Sequence, residues 1–483
     1  MISRRHLLAG LGAAATVTGL TACSGRTPVT PGEGPSGGGG KLTWWDHFQP
    51  LQQLQRDTFA AFEKSDGVAV EYTVHQTAKL GQALQLAKQS NQLPDVHTNV
   101  GLEIPVRQLI ADGWYQPLQL STEVVDALPA ESKVEGVNTF DGKLYSFPLF
   151  NFRQYWAATW FNRDLLEKAG LDPAAPPATY DDFRAACAKI KDLGTPAKGW
   201  INNLGAPGRI AEQVNYLVQA AGFAGTGGRL FATGELAFTD DVYANLLEFW
   251  LSLKTDGHLV EGSFDDTTAR TRWAAGQAAF YMDGPWCPGS VQQAAKQFLP
   301  SMDVGPMLVP EAGMPVTAYR GAADGTFYIS ASSDQAEVAS RLLEKFLTPE
   351  YAAGLATQMD QPPADLTVID RAEVHESYRK AVKLMGEGCF LAPQAVLREP
   401  EVSKITAKIP KIKPDIGTIV QGLFAGEITD IRKALKEYQD KVNAATDKAF
   451  ADAKAGGSKV DQSVFAFDNF EPRTDYTSDK YDA

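Results

Sequence analysis

The chain has 483 residues, 44% of them hydrophobic and 21% charged, with a formal net charge of −13. That length exceeds one small core and predicts two or three domains. The composition is ordinary for a folded soluble protein, no basic cluster is dense enough for nucleic acid, and the acidic balance disfavours a polyanionic ligand outside a locally positive pocket.

Residues 1–23 read MISRRHLLAGLGAAATVTGLTAC. Arg4 and Arg5 form a charged head, followed by an apolar or small stretch over 7–20. That stretch is short of the roughly 20 residues of a permanent membrane helix, so it reads as an export signal over 1–22. Small residues before Cys23 leave an open backbone for a peptidase. Cleavage before Cys23 and lipid attachment to its thiol are expected, and two or more acyl chains would hold the protein at a membrane surface. The arginine pair fits a twin-arginine export route. Loss of 1–22 removes Arg4 and Arg5 but no Asp or Glu, taking the charge from −13 to −15. Ser24 onward, SGRTPVTPGEGPSGGGG, has nothing to bury, and 23–40 reads as anchor and flexible tether. No later segment has the unbroken apolar length of a second span.

Folded sequence starts near Lys41. KLTWWDHF over 41–48 reads as a strand running into a polar, aromatic loop. Helical spacing follows over 51–65, then a strand over 68–74 and a helix over 78–89. Leu93-Pro94-Asp95-Val96-His97 breaks that helix and starts a strand, and 106–112 is helical. This alternation predicts an α/β domain with a mainly parallel sheet, whose ligands sit beyond the carboxyl ends of the strands. Trp45, Asp46, His47 and Asn99 fall at those ends.

Asp141-Gly142 marks a turn, and 145–152 and 155–162 read as extended or apolar. A helix over 163–169 ends at Gly170. Thr179 with Asp182 three residues on predicts the start of another. Further helices are expected over 210–221, 240–255, 267–274, 291–297, 336–347 and 428–450. Strands are expected over 278–282, 303–308 and 326–329. No fixed period recurs, which excludes solenoids and propellers.

Cys23, Cys187, Cys287 and Cys389 are too scattered for metal spacing or a disulfide framework, and Cys187 reads as a buried small hydrophobe. No G-x-S-x-G, H-E-x-x-H or Walker sequence occurs, six histidines leave few triads, and no metal or cofactor is expected. Sequence spacing cannot show a facing carboxyl pair for glycan cleavage, and the chain is read as a non-enzyme. Its nine tryptophans point elsewhere. Trp44, Trp45, Trp156, Trp160, Trp200, Trp273 and Trp286 lie near expected strand ends or loops. An aromatic face packs on the C–H face of a sugar ring while Asp, Asn, Gln, Arg and His satisfy its hydroxyls. Core packing competes with that role for each tryptophan. Trp286, between Gly284-Pro285 and Pro288-Gly289, stands out as a loop residue facing ligand.

Several segments together resemble the family 1 extracellular solute-binding proteins of ABC importers, the maltose-binding type. They are KLYSFPLFNFRQYWAATWFNRDLLEKAGL over 143–171, WAAGQAAFYMDGPWCPG over 273–289, the glycine-containing hinge segment within 323–351, and the closing helix over 426–445. The resemblance spans about 41–450. It implies a two-lobed periplasmic-binding-protein-like α/β fold of class II with a ligand cleft between lobes. Lobe 1 would comprise 41–150 plus 319–370, and lobe 2 would comprise 154–315 plus 375–450. Crossings would lie near Phe150-Asn151-Phe152, Ala318-Tyr319-Arg320 and Ile369. The implied ligand residues are Trp45, His47, Asn99, Glu103, Arg153, Tyr155, Trp200, Trp286, Arg320, Asp324, Gly325 and Gln361. The implied function is lipid-anchored capture of a carbohydrate, an oligosaccharide by preference, for delivery to ABC permease transmembrane subunits. The protein would be a monomer at the extracellular face of the cell membrane. Alternatives are a glycerol-phosphodiester-binding protein, for which Arg153 and Arg320 are the obvious donors, and a surface-anchored glycan-processing enzyme.

The sequence departs from the family at Ala322-Ala323-Asp324-Gly325, where relatives carry two adjacent glycines, at Cys287, and in the extension 456–483. VFAFDNFEPRTDY over 464–476 is too aromatic for a random tail and is expected to pack back on a lobe, or else to form a docking strip.

Overall fold

In the computed structural model, which describes residues 41–102 and 104–481, alternating strands and helices build two main sheets, of five and four strands, beside three two-stranded ones. The signal, Cys23, the tether and Glu103 lie outside the described residues. The first sheet runs in the order Val70–Val74, Leu42–Asp46, Val96–His97, Tyr328–Ser330, Tyr115–Gln116. Its first three strands are parallel; Tyr328–Ser330 enters antiparallel from far along the chain. The second sheet runs Met302–Gly305, Ala158–Asn162, Ala278–Asp283, Lys198–Ile201. Ala158–Asn162 and Ala278–Asp283 are buried at every position, as expected of central strands covered on both faces.

Each sheet has its own core. Leu42, Trp44, Phe59, Phe147, Phe150, Phe327, Ile329, Leu342 and Phe346 pack together around the first. Trp160, Phe183, Trp200, Leu217, Trp250, Trp273, Phe280, Ile419 and Leu435 pack around the second. The chain passes between cores three times: from Phe150 to Tyr155, from Ala318 to Phe327, and from Leu355 to Ala381. At the first passage Asn151 N donates to Pro362 O (2.8 Å) and Ala364 N to Leu149 O (2.9 Å). At the second, Ala318–Arg320 pairs in parallel with Cys389–Leu391. Ile369 lies in a short helix, Thr367–Arg371, rather than in an extended crossing strand. Segments beside the two cores also meet, with Gln293 Nε2 donating to Gln49 O (2.9 Å) and Gly289 N to Met359 O (3.1 Å) on the third passage.

The long periodic helices form close to their expected bounds: Gln52–Asp66, Thr77–Gln89, Tyr180–Asp192, Asp241–Thr255 and Ile431–Ala455. Thr179 Oγ1 accepts from Asp182 N (3.1 Å), so the cap legible in the sequence starts its helix. The tail folds back as anticipated: Phe467, Phe470 and Tyr476 are buried against Phe231, Tyr319 and Ala392. Among the described residues no helix is long and apolar enough to cross a membrane.

Candidate functional site

Beyond the carboxyl end of the second sheet, several chain segments converge on one aromatic cluster. Strand Ala278–Asp283 ends in Asp283, whose carboxylate is fixed by Arg270 (Nε to Oδ2, 2.8 Å) and Gly284 N (2.9 Å to Oδ1). Asp283 Oδ1 also accepts from Trp286 Nε1 (2.9 Å), which sets the half-buried indole. The expected loop around Trp286 is a helix start instead. Cys287–Ala294 begins immediately after it, with Pro288 in the first turn where its missing N–H costs nothing. Trp156, just after the first passage between cores, lies 5.6 Å from Trp286, and Tyr216 lies 5.8 Å from Trp156.

Charged groups stand on these rings. The Arg209 guanidinium is 4.8 Å from the Trp286 ring and 4.9 Å from Trp156, and Arg320 is 5.0 Å from Trp156. Arg209 pairs with Glu212 (2.9 Å) and Asp266 (3.5 Å). Burial pushes the Glu212 carboxyl up to about 7 against the pull of Arg209. Burial likewise raises Asp324, opposed by Arg320. Asp324 nevertheless keeps open surface, so it faces a recess rather than packed core. That recess is a cavity of about 290 Å³, walled in part by Val106, Val137, Gln394 and Phe465; Trp156, Trp286, Arg209 and Arg320 do not line it, so it is separate from the aromatic cluster. From the first core comes His47, whose Nδ1 lies 3.1 Å from Thr98 Oγ1. Burial and the nearby Arg209 charge push its imidazole down to about 3, so it is neutral at physiological pH.

Trp156 Nε1, Arg320 Nη1 and both side-chain polar atoms of Asn202 are buried without a hydrogen-bond partner among the described residues. Such groups are expensive to leave unmet, and a polar ligand or ordered water would satisfy them. Aromatic faces beside unmet donors and acceptors suit a polyhydroxylated molecule.

Of the residues expected at the site, His47, Trp286, Arg320 and Asp324 come together here. The others divide by physical cause. Trp200 is 1% exposed, packed on Trp250 (5.5 Å) inside the second core, because it lies within the edge strand Lys198–Ile201, which helices cover, and not in a loop. Tyr155 is fully buried in the same core. Trp45 alternates with Trp44 along the first strand, so it turns to the opposite face, against His75 (4.6 Å) and the cluster of Leu80, Leu102 and Trp114. Arg153 is held by Asp475 of the tail and by Cys389 O. Gly325 serves close packing: a β-carbon there would lie 2.2 Å from Ser146 Cβ. Gln361 is half-buried and offers its carbonyl to the Tyr378 hydroxyl (3.1 Å). Asn99 is half-buried and makes no side-chain hydrogen bond among the described residues; its carbonyl accepts from Leu102 N (3.1 Å).

Arg209, Glu212, Tyr216 and Asp266 are the residues sequence reasoning missed. A signal was present. Positions 209, 212 and 216 share one face of helix Pro207–Ala220, beside the buried stripe of Ile210, Val214 and Leu217.

Two cores, three passages and a polar, aromatic cluster beside the passages define a two-lobed α/β ligand-binding protein of the periplasmic-binding-protein kind. Solved structures with this fold include an ABC transporter solute-binding protein from Thermotoga lettingae bound with α-D-tagatose (20% identical, TM-score 0.64, covering 84% of this chain and 99% of that one). The GacH receptor of Streptomyces glaucescens, solved with acarbose, is 16% identical with a TM-score of 0.61, covering 86% of this chain and 98% of that one. The Thermus thermophilus maltotriose-binding protein is 19% identical with a TM-score of 0.60, covering 84% and 100%. An uncharacterized ABC transporter extracellular-binding protein of Pyrococcus horikoshii is 23% identical over 379 residues, 76% of this chain and 75% of its own length. The family model for bacterial extracellular solute-binding proteins matches residues 57–383. This chain belongs to that family.

Proposed function

We propose that the protein captures a carbohydrate, an oligosaccharide by preference, in the cleft between lobes and delivers it to the transmembrane subunits of an ABC importer. The observation that carries this reading is the pairing of Trp156 and Trp286 beside buried polar atoms that lack partners in Asn202, Trp156 and Arg320. Stacking would hold the ring faces while these atoms and the Glu212 carboxyl meet hydroxyls. Tagatose and maltotriose, held by two structural neighbours, have this chemistry. Lobe 1 is taken as 41–150 plus 319–370 and lobe 2 as 154–315 plus 375–450, closing on ligand by population shift. No bond is broken in this role.

The glycerol-phosphodiester reading is weaker. Arg153, one of its two donors, is engaged by Asp475, and Arg209 is offset by Glu212 and Asp266. In the proposed arrangement Cys23 carries the lipid at the extracellular face of the membrane, 23–40 is the tether and the protein acts as a monomer. A thermal-shift screen against mono- and oligosaccharides, glycerol phosphodiesters and peptides tests the ligand class, because a true ligand raises the melting temperature with occupancy. A rise with phosphodiesters alone would overturn the carbohydrate reading. Replacing Cys23 by Ala should move the protein from the membrane fraction to the medium, and retention would refute the anchor.

A further inference from the structure

The tail does more than cover apolar surface: it is bonded at the first two passages between cores and to the strand Cys389–Leu391 that follows the third. Asp475 binds Arg153 on the first passage and accepts from Leu391 N (2.8 Å) on the strand that follows the third. Tyr476 N donates to Leu391 O (2.9 Å). Arg473 Nη1 donates to Val316 O (2.8 Å) and Thr317 Oγ1 (2.9 Å) at the second passage, and Arg473 N donates to the Tyr319 hydroxyl (3.2 Å). Arg473 holds a left-handed backbone, φ 60°, a conformation that a non-glycine residue keeps only where its surroundings fix it. The tail is itself anchored on the second lobe, where Phe467 N donates to Phe231 O (2.8 Å) and Phe470 packs on Phe231 (4.9 Å).

We infer that residues 461–481 are a hinge strap: they fix the crossing segments to the second lobe and favour the arrangement in which the lobes touch. A lobe rotating on its hinge must twist the segments around Arg153, Thr317 and Leu391 together. Asp475 and Arg473 tie those segments into one body, so rotation is confined to the short stretches beyond them, near 150–152 and 321–325. Releasing the strap frees more of the hinge and lowers the population of the closed state. Apparent affinity for any ligand that needs closure falls by the same factor. A strap of this kind acts on closure whichever ligand the cleft takes.

The test uses the full-length chain without ligand, comparing the parent with Asp475→Asn, with Arg473→Gln/Asp475→Asn, and with Asp468→Asn as an exposed control on the same tail. Hydrogen exchange is read at Asn151, Thr326, Ala364 and Ala392, whose amides bond to other partners than the tail, alongside the radius of gyration from small-angle scattering. Loss of charge-assisted bonds of this kind should speed exchange at these four amides by about tenfold or more in the double variant. The single variant should give a smaller change in the same direction. The radius of gyration should rise, and exchange in strands Leu42–Asp46 and Ala278–Asp283 should stay as in the parent. Unchanged exchange at the four amides, or an unchanged radius of gyration, overturns the strap. Equal acceleration in both sheets also overturns it, by reducing the tail to a contributor to overall stability. The single variant keeps the question open to measurement if the double variant does not fold.

Discussion

Replacing Trp286 with Ala removes the indole that pairs with Trp156, lies under Arg209 and donates to Asp283. The aromatic pair contributes about 0.5–1.5 kcal/mol and the cation–π contact about 0.5–1 kcal/mol to stability. Asp283 keeps its bonds to Arg270 and Gly284 N, so no buried carboxylate is orphaned. The fold should therefore survive with a loss of about 1–3 kcal/mol. Binding should suffer as a hot spot does, by about 2 kcal/mol or more, which is about 30-fold in Kd. Trp286→Phe keeps a ring face but loses the Nε1 donor, and should fall between parent and Ala. Calorimetric titration with the sugar that raises the melting temperature of the parent measures both variants. A folded Trp286→Ala protein with the parent's Kd would refute the stacking role.

Trp200→Ala should behave oppositely: a loss of about 3–5 kcal/mol in stability by denaturant unfolding, with unchanged affinity at a temperature where the variant is folded. A clear affinity loss there would return Trp200 to the site. Asp360 and Asp46 are buried, and desolvation raises both carboxyls from 3.8 to about 7. The folded state thus holds more protons than the unfolded state between about pH 4 and pH 7, so these two groups make stability fall as pH rises through that window. Asp360→Asn removes its share; the variant's melting temperature relative to the parent should be higher at about pH 8 than at about pH 5, and a pH-independent difference would refute the shift. Gly325→Ala places a β-carbon 2.2 Å from Ser146 Cβ and should cost about 1–3 kcal/mol by overpacking, read from the denaturation midpoint.

The strand–helix alternation and the long amphipathic helices were legible because their periodicity is local. Helix Ile416–Ala425 was not. Its sequence, IGTIVQGLFA, is β-branched and carries two glycines, features that argue against a helix in isolation. It forms because both its faces are buried and because Gly417 lets it approach the backbone of Pro207, where a β-carbon would lie 1.9 Å from Pro207 O. Trp286 and His47, picked out through turn formers and strand ends, both lie near Arg209 in the structure. Arg153 misled because its partner, Asp475, is 322 residues away and nothing near Arg153 announces it. Trp45 and Trp44 are neighbours in sequence but opposites in space, and only the strand's pleat separates an inner from an outer ring.

The antiparallel strand Tyr328–Ser330 sits between Val96–His97 and Tyr115–Gln116 in the first sheet. A growing chain emerges in order from its amino end, so Tyr115–Gln116 waits without a neighbour until more than two hundred further residues have appeared. The second core is later still, since Ile419, Leu423 and Leu435 complete it. Neither half can finish on its own schedule, and cutting the gene between lobes would yield two fragments that each lack part of their interior. Both interiors close only after late segments have emerged, so a handler that keeps the nascent chain from premature collapse would matter more here than for two domains strung end to end.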